Sequence, residues 1–204
     1  MERLTEAILE KTNVLPEGMP ISAKMLLHLG NRAALDQALS RLVRRGKLLR
    51  AGRGVYVSPV ASRFGSRAPA VEKVVEELSR QRGETVVPSG ASSANALGLT
   101  TQVPTRTVYS TSGKSRKFTL GKQVVHLQHV PAWQLTLAKE PAGEIIRALA
   151  WAGPEKVNEA LKEIETRVPR SEFQRISQQS SRLPLWLATA LSADRKLCLR
   201  ASSI

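Results

Sequence analysis

The chain has 204 residues, and its apolar (42%) and charged (24%) fractions are ordinary for a soluble globular protein. Its formal net charge of +14 is unusual and indicates a polyanionic partner. The single cysteine excludes an internal disulfide and a cysteine-rich metal site, and no apolar run reaches the ~18 residues of a membrane span. The charged N-terminus differs from a signal peptide, so a cytoplasmic protein is expected.

The first part of the chain predicts three short helices. The first helix has an apolar face made by Leu4, Ala7 and Ile8. Ser22 is suited to cap a short second helix, Gly30 breaks it, and Asn31 is suited to cap the third. The third helix has apolar residues at the i, i+3, i+4, i+7 spacing of one face: Leu35, Ala38, Leu39 and Leu42. It is expected to end at Gly46, because glycine readily adopts the left-handed conformation of a helix C-cap.

Two β-prone segments follow the third helix. Residues 48–50 and 55–57 flank the glycine-rich turn 51–54, which suits the tip of a hairpin. Helix, turn, helix and hairpin together predict a winged helix-turn-helix over residues 21–57.

The charges of this region indicate DNA binding. Residues 41–53 contain no acid and six cations, namely Arg41, Arg44, Arg45, Lys47, Arg50 and Arg53. Such cations can neutralise phosphates. If the third helix enters the major groove, four side chains can reach base edges, namely Arg32, Gln37, Ser40 and Arg41. The alternative is a solvated basic face, because cations also favour helix C-termini. Arg53, flanked by glycines at the hairpin tip, favours DNA.

The predicted fold class is α+β, with an N-terminal winged helix-turn-helix domain (1–58) and a mixed α/β C-terminal domain (69–204). Residues 59–68 are rich in Ser, Pro and Arg, lack any period, and predict a linker. The C-terminal domain is expected to contain a small sheet, with strands at 106–111, 116–120 and 123–129, and a helical C-terminal part after Pro131. Because it has its own strands and apolar helices, this domain is expected to fold alone.

No enzyme site is predicted. The sequence Gly113-Lys114-Ser115 lacks the earlier glycine of a phosphate-binding loop, so a hairpin turn is the better interpretation. His126 and His129 would face opposite sides of a strand, which makes them poor joint metal ligands. A nucleotidyl-transfer site normally gathers several carboxylates around metal ions. The chain has only two aspartates, and its C-terminal glutamates lie mainly on amphipathic helices, so such a site is not expected. No cofactor or metal is expected, and the three tryptophans (Trp133, Trp151 and Trp186) are interpreted as core residues.

Two stretches resemble a known family. One is ALSRLVRRGKLLRAGRGVYV at 38–57, and the other is PSGASSANALGLTTQVPTRTVYSTSG at 88–113, continued by LGKQVVHLQHV at 120–130. With these stretches the chain resembles the AbiEi-type antitoxins of bacterial abortive-infection systems, specifically their DUF6088-like relatives. The resemblance implies a winged-helix operator-binding domain, a C-terminal domain that helps to neutralise a nucleotidyltransferase-like toxin, and repression of the pair's own promoter. It carries over these residues of the recognition helix and wing: Arg32, Gln37, Arg41, Arg44, Arg45, Arg50 and Arg53.

The expected function is therefore a cytoplasmic, sequence-specific repressor that binds double-stranded operator DNA and acts as the antitoxin of a phage-defence toxin–antitoxin pair. One alternative is a one-component winged-helix regulator whose C-terminal domain senses a small ligand. A pocket between the strands and the helix at 89–99 would favour that alternative. An enzyme is the second alternative, and it would require a carboxylate or histidine cluster that only the fold brings together.

Overall fold

The fold is α+β in the computed structural model, which describes residues 2–63 and 65–201. Phe64 in the predicted linker and residues 202–204 of the predicted C-terminal domain lie outside the described residues. The helices within the described part are α1 (Glu2–Asn13), α2 (Arg32–Arg44), α3 (Val71–Arg82), α4 (Gly90–Ala96), α5 (Pro141–Glu165), α6 (Arg170–Gln178) and α7 (Leu185–Ala201). Short 3-10 helices lie at Ala23–Leu26, Ala132–Leu135 and Ser180–Arg182. None of the described helices is both long enough and apolar enough to span a membrane.

Within the described residues, the strands form three sheets. They are β1 (Leu49–Gly52), β2 (Val55–Val57), β3 (Val60–Ser62), β4 (Gly65–Arg67), β5 (Val86–Pro88), β6 (Thr107–Thr111), β7 (Arg116–Leu120) and β8 (Gln123–His129). β1 pairs with β2, β3 pairs with β4, and the third sheet has the order β5-β6-β8-β7. The alternation and turn residues of the sequence therefore predicted β7 and β8 with the correct bounds.

The chain divides into two compact units that interleave along the sequence. The first unit comprises Met1–Glu84 and Arg116–His126, and the second comprises Thr85–Ser115 and Leu127–Ile204. These units divide the chain differently from the predicted segments 1–58, 59–68 and 69–204, since α3, β7 and the first part of β8 belong to the first unit. The segment predicted as a linker contains the short hairpin β3–β4.

A small apolar core holds the beginning of the first unit together. Side chains from α1, the first 3-10 helix, α2 and the hairpin β1–β2 form it, namely Ile8, Ile21, Ala23, Leu26, Leu35, Ala38, Leu39, Leu42, Leu48 and Tyr56. Ile21 also pairs with Tyr56 through two backbone hydrogen bonds of 2.7 and 2.9 Å, which attach the chain before the 3-10 helix to β2. Ser22 occupies the N-cap position of the short 3-10 helix, as predicted, but its side chain makes no capping hydrogen bond.

α3 is attached to this unit by the loop that follows α1. The carboxylate of Glu17 accepts hydrogen bonds from the ammonium of Lys73 at 2.5 Å and from the backbone N–H of Ala70 at 3.2 Å. The bond from Lys73, and then that from Ala70, hold the pKa of Glu17 below its usual value. At the other end of the helix, the side chain of Gln81 donates to the carbonyl of Pro20 at 3.2 Å. Both ends of α3 thus contact residues 17–20.

The second unit has a helical core built mainly on α5, α6 and α7. α5 is interrupted at Gly153, whose φ of 76° and ψ of 172° are not helical, so two helical segments meet there. Trp133 and Trp186 pack edge to face against this core, with ring centroids 6.2 Å apart. The prediction that Trp151 is a core residue is wrong, because its side chain is 47% exposed.

Candidate nucleic-acid interface

α2 is held at both ends by the residues that the sequence predicted. The side-chain oxygen of Asn31 accepts a hydrogen bond of 2.9 Å from the N–H of Ala34, which satisfies one of the unpaired donors of the first turn. After the helix, Gly46 has a φ of 67° and its N–H donates to the carbonyl of Val43 at 3.0 Å. This left-handed residue turns the chain towards β1.

One stripe of α2 faces away from the core. The buried residues Leu35, Ala38, Leu39 and Leu42 cover one side of the helix. The opposite side carries exposed residues at the spacing i, i+4, i+7, i+11, namely Ala33, Gln37, Ser40 and Arg44. Gln37, Ser40 and Arg44 therefore lie where the sequence predicted contact residues. Ala33 is exposed in the same stripe, but it carries no polar group, so the sequence did not predict it as a contact residue.

The predicted base-contacting residues Arg32 and Arg41 lie beside this stripe. The Nε of Arg32 donates to the carboxylate of Asp36 at 2.9 Å, an exposed pair one helical turn apart. This ion pair directs the guanidinium along the helix rather than outward. Arg41 is half-buried on the other flank of α2. The physical reason is that position 41 borders the buried face formed around Leu42.

The hairpin β1–β2 follows α2 directly. Leu49 pairs with Val57 and Arg50 with Tyr56, and a bulge at Ala51 precedes the pair of Gly52 with Val55. The tip contains Arg53, which is exposed, and Gly54, whose φ of 70° allows the tight turn. Arg50 is also exposed, and its Nε donates to the carbonyl of Gly52 at 3.3 Å. The hairpin thus presents one arginine along β1 and one at its tip.

Five cations after the middle of α2 are exposed and have no ion-pair partner within the described part of the chain. They are Arg44, Arg45, Lys47, Arg50 and Arg53. Because no acid occurs between positions 41 and 53, nothing in this segment neutralises their charge. The end of α2 and the hairpin therefore form one surface of uncompensated positive charge, which we call the basic surface.

A strand distant in sequence lies beside this hairpin. β7 is in contact with β1 within the first unit. On β7, Lys117 is exposed, and Lys122 is exposed in the turn that follows. Arg116 is held instead by Glu84, whose two carboxylate oxygens accept from its guanidinium at 3.1 and 2.5 Å. No local pattern of the sequence predicts that β7 lies against β1, so Lys117 is assigned to this region only by the fold.

The described residues contain no group of three or more His, Cys, Asp or Glu side chains arranged to hold a metal ion. His126 is half-buried and His129 is exposed on β8. The ring Nδ1 of His129 lies 3.0 Å from the carbonyl oxygen of Gly113, to which it can donate. The candidate interface is therefore defined by cationic and hydrogen-bonding side chains.

Comparison with known proteins gives one match. Neither the curated proteins nor the solved structures contain a match to this chain. The sequence profile of DUF6088, a family of unknown function, matches residues 7–176 and thus covers α2, the hairpin, the third sheet and most of the helical core. The chain belongs to the DUF6088 family.

Proposed function

We propose that the first unit is a winged helix-turn-helix that binds double-stranded operator DNA. The basic surface carries this proposal, since its exposed cations have no neighbouring acid in sequence between positions 41 and 53. The order of elements supports it: α1, a short 3-10 helix, α2 and the hairpin β1–β2 follow one another around a single apolar core. This order is typical of helix-turn-helix proteins with a wing.

In this proposal α2 is the recognition helix and enters the major groove. Gln37 and Ser40 in the exposed stripe are suited to base edges, because amide and hydroxyl groups can both donate and accept. Arg44, Arg45 and Lys47 at the end of the helix bind phosphates, and Arg53 at the hairpin tip reaches a phosphate or the minor groove. Lys117 adds a further phosphate contact beside β1.

The alternative of a merely solvated basic face explains fewer of these residues. Cations in the last turn of a helix interact favourably with the helix dipole, which accounts for Arg44 and Arg45. That effect fades within one turn, so it gives no reason for the exposed arginines of the hairpin, Arg50 and Arg53. A DNA backbone explains both groups at once.

The exposed stripe and the hairpin tip are expected to have different roles. Gln37→Ala should cost roughly 1–3 kcal/mol on the operator and relax the preference for sequence, because it removes a base-reading side chain. Arg53→Ala should weaken specific and random DNA to a similar extent, since a phosphate contact is independent of sequence. Binding-site selection measures the sequence preference of each variant, and anisotropy titrations with operator and random DNA measure the affinities. Lys162→Ala is the control, because this exposed cation lies on α5, outside the proposed interface. Equal selection profiles for Gln37→Ala and Arg53→Ala would contradict this division.

We also propose that the protein is the antitoxin of an abortive-infection toxin–antitoxin pair and represses the pair's promoter. The resemblance of residues 38–57, 88–113 and 120–130 to AbiEi-type antitoxins supports this proposal. The expected partner is a nucleotidyltransferase-like toxin encoded next to this chain. Co-expression should restore growth to cells that produce the toxin, and the variant Gln37→Ala should restore it equally while losing promoter repression. Growth arrest despite normal levels of this protein would contradict the antitoxin role.

One observation favours the alternative of a ligand-sensing regulator. A cleft lies within the second unit between the strands β6 and β8 and the first turn of α4, where that alternative requires a pocket. Ligand sensing and DNA binding are compatible in one chain.

A further inference from the structure

The cleft of the second unit has the size of a binding site for a small molecule. Its volume is about 550 Å³, and its walls come from β6, the end of β8, the first turn of α4 and the middle of α5. Sites for small ligands in proteins occupy roughly 300–1,000 Å³. A molecule the size of a mononucleotide or an aromatic acid therefore fits.

Gly90, the first residue of α4, allows α4 and α5 to lie close together. A Cβ atom on Gly90 would lie 2.7 Å from the carbonyl oxygen of Arg147 and 3.1 Å from the Cβ of Trp151. Only a residue without a side chain permits this contact. Gly90 thus keeps α4 against the segment of α5 that carries the two most distinctive side chains of the cleft.

Arg147 is a lining residue of the cleft and has an unused donor. The residue is only 3% exposed. Its buried Nε has no hydrogen-bond partner within the described residues, and one terminal nitrogen donates to the carbonyl of Ala138 at a long 3.4 Å. A guanidinium has five N–H donors, and leaving buried ones unpaired is unfavourable.

The surroundings of Arg147 do not neutralise its charge. Burial lowers the pKa of Arg147, and the carboxylate of Glu144, three residues earlier on α5, acts in the opposite direction. The two side chains form no ion pair within the described part of the chain. A buried cation of this kind is stabilised by an anion that reaches its donors.

The rim of the cleft adds an aromatic surface and further hydrogen-bonding groups. The indole of Trp151 is 47% exposed and lines the cleft, whereas Trp133 and Trp186 pack against the helical core. Arg106 is exposed at the rim, and Gln134 is half-buried there. An exposed indole next to a buried guanidinium suits a planar ring that carries a negative group.

We propose that this cleft binds a small anion in which a carboxylate or phosphate is attached to a planar ring. Arg147 binds the oxyanion through its Nε and a terminal nitrogen, and Trp151 stacks on the ring. Arg106 at the rim attracts the anion from solvent. The inference is independent of DNA binding, since every residue that it uses belongs to the second unit.

Calorimetric titration with two pairs of probes tests the proposal. Adenosine 5′-monophosphate is compared with adenosine, and benzoate with benzamide, so that each pair differs in the negative group and the two pairs distinguish phosphate from carboxylate. The charged member of at least one pair should bind at least about tenfold more tightly than its neutral analogue. Arg147→Met should abolish that difference, because the substitution keeps an unbranched side chain and removes every donor.

Matched variants separate this site from general attraction to a basic protein. Arg182→Met removes the same charge from an exposed position of the second unit outside the cleft and should preserve the difference. If Arg147→Met does not fold, Trp151→Ala tests the proposal instead, because the half-exposed side chain of Trp151 contributes little to the core. Trp151→Ala should lower the affinity for the ring-bearing anions several-fold and leave the melting temperature unchanged. Equal affinity for charged and neutral probes, or unchanged binding by Arg147→Met or Trp151→Ala, means that the proposal is wrong.

Discussion

We expect the affinity of the purified protein for its own promoter DNA to fall about 10³-fold between roughly 50 and 200 mM salt. Six exposed cations, the five of the basic surface and Lys117, contact phosphates in this proposal. Each contact releases counterions, which contributes about −0.9 to the slope of log affinity against log salt. The triple variant Arg44→Gln, Arg45→Gln, Arg53→Gln removes three exposed cations of the basic surface. Its affinity should fall only about 40-fold over the same range, because three contacts remain. Fluorescence anisotropy at several salt concentrations measures both slopes.

A variant with the same net charge provides the control. Lys156→Gln, Lys162→Gln, Arg182→Gln also removes three exposed cations, but from the helices of the second unit. It should retain the slope of the unchanged protein, since local phosphate contacts rather than overall charge determine counterion release. If the two triple variants have the same slope, the basic surface is not the contact surface, and the proposed role of α2 and the hairpin must be abandoned.

Local chemistry explains why the sequence predicted the bounds and the exposed stripe of α2 in this candidate interface. α2 begins after Asn31 because the amide oxygen of Asn31 can accept an N–H of the first turn. It ends before Gly46 because glycine tolerates a positive φ. The apolar spacing of α2 identifies its buried face and therefore its exposed stripe. These features depend on residues within about one helical turn of one another, which is the range that a single sequence reveals.

Features that depend on distant contacts were not predictable. Arg147 follows Ile145 and Ile146 on α5, and no local pattern distinguishes it from a cation that extends into solvent. Trp151 is exposed although its neighbours in sequence are apolar. Likewise β7 lies against β1, more than sixty residues earlier, so Lys117 joins the hairpin only through the fold. The cleft and the extension of the basic surface both depend on contacts of this kind.

The second large effect is expected on cutting the chain before α3. In a fragment of residues 70–204, the backbone amides of α3 should exchange with solvent at least about 100-fold faster than in the full chain. The fragment lacks Glu17, which binds Ala70 and Lys73, and Pro20, which accepts from Gln81. The apolar face of α3 is buried in the full chain through Val71, Val74, Val75 and Leu78. Without its contacts to residues 1–69, a helix of 12 residues is marginal in water.

Hydrogen exchange resolved along the chain measures this effect and contains its own control. The core residues of α5, such as Ile145 and Leu149, lie in the second unit, all of whose residues the fragment retains, so their amides should stay protected. Selective loss of protection in α3 would show that a cut at the predicted boundary divides the first unit. The chain passes between the two units three times, after residues 84, 115 and 126, so no single cut separates them. Equal protection of α3 in the fragment and the full chain would instead support an independent domain over 69–204, as the sequence predicted. In that case the contacts of Glu17 and Pro20 would contribute little to the stability of α3.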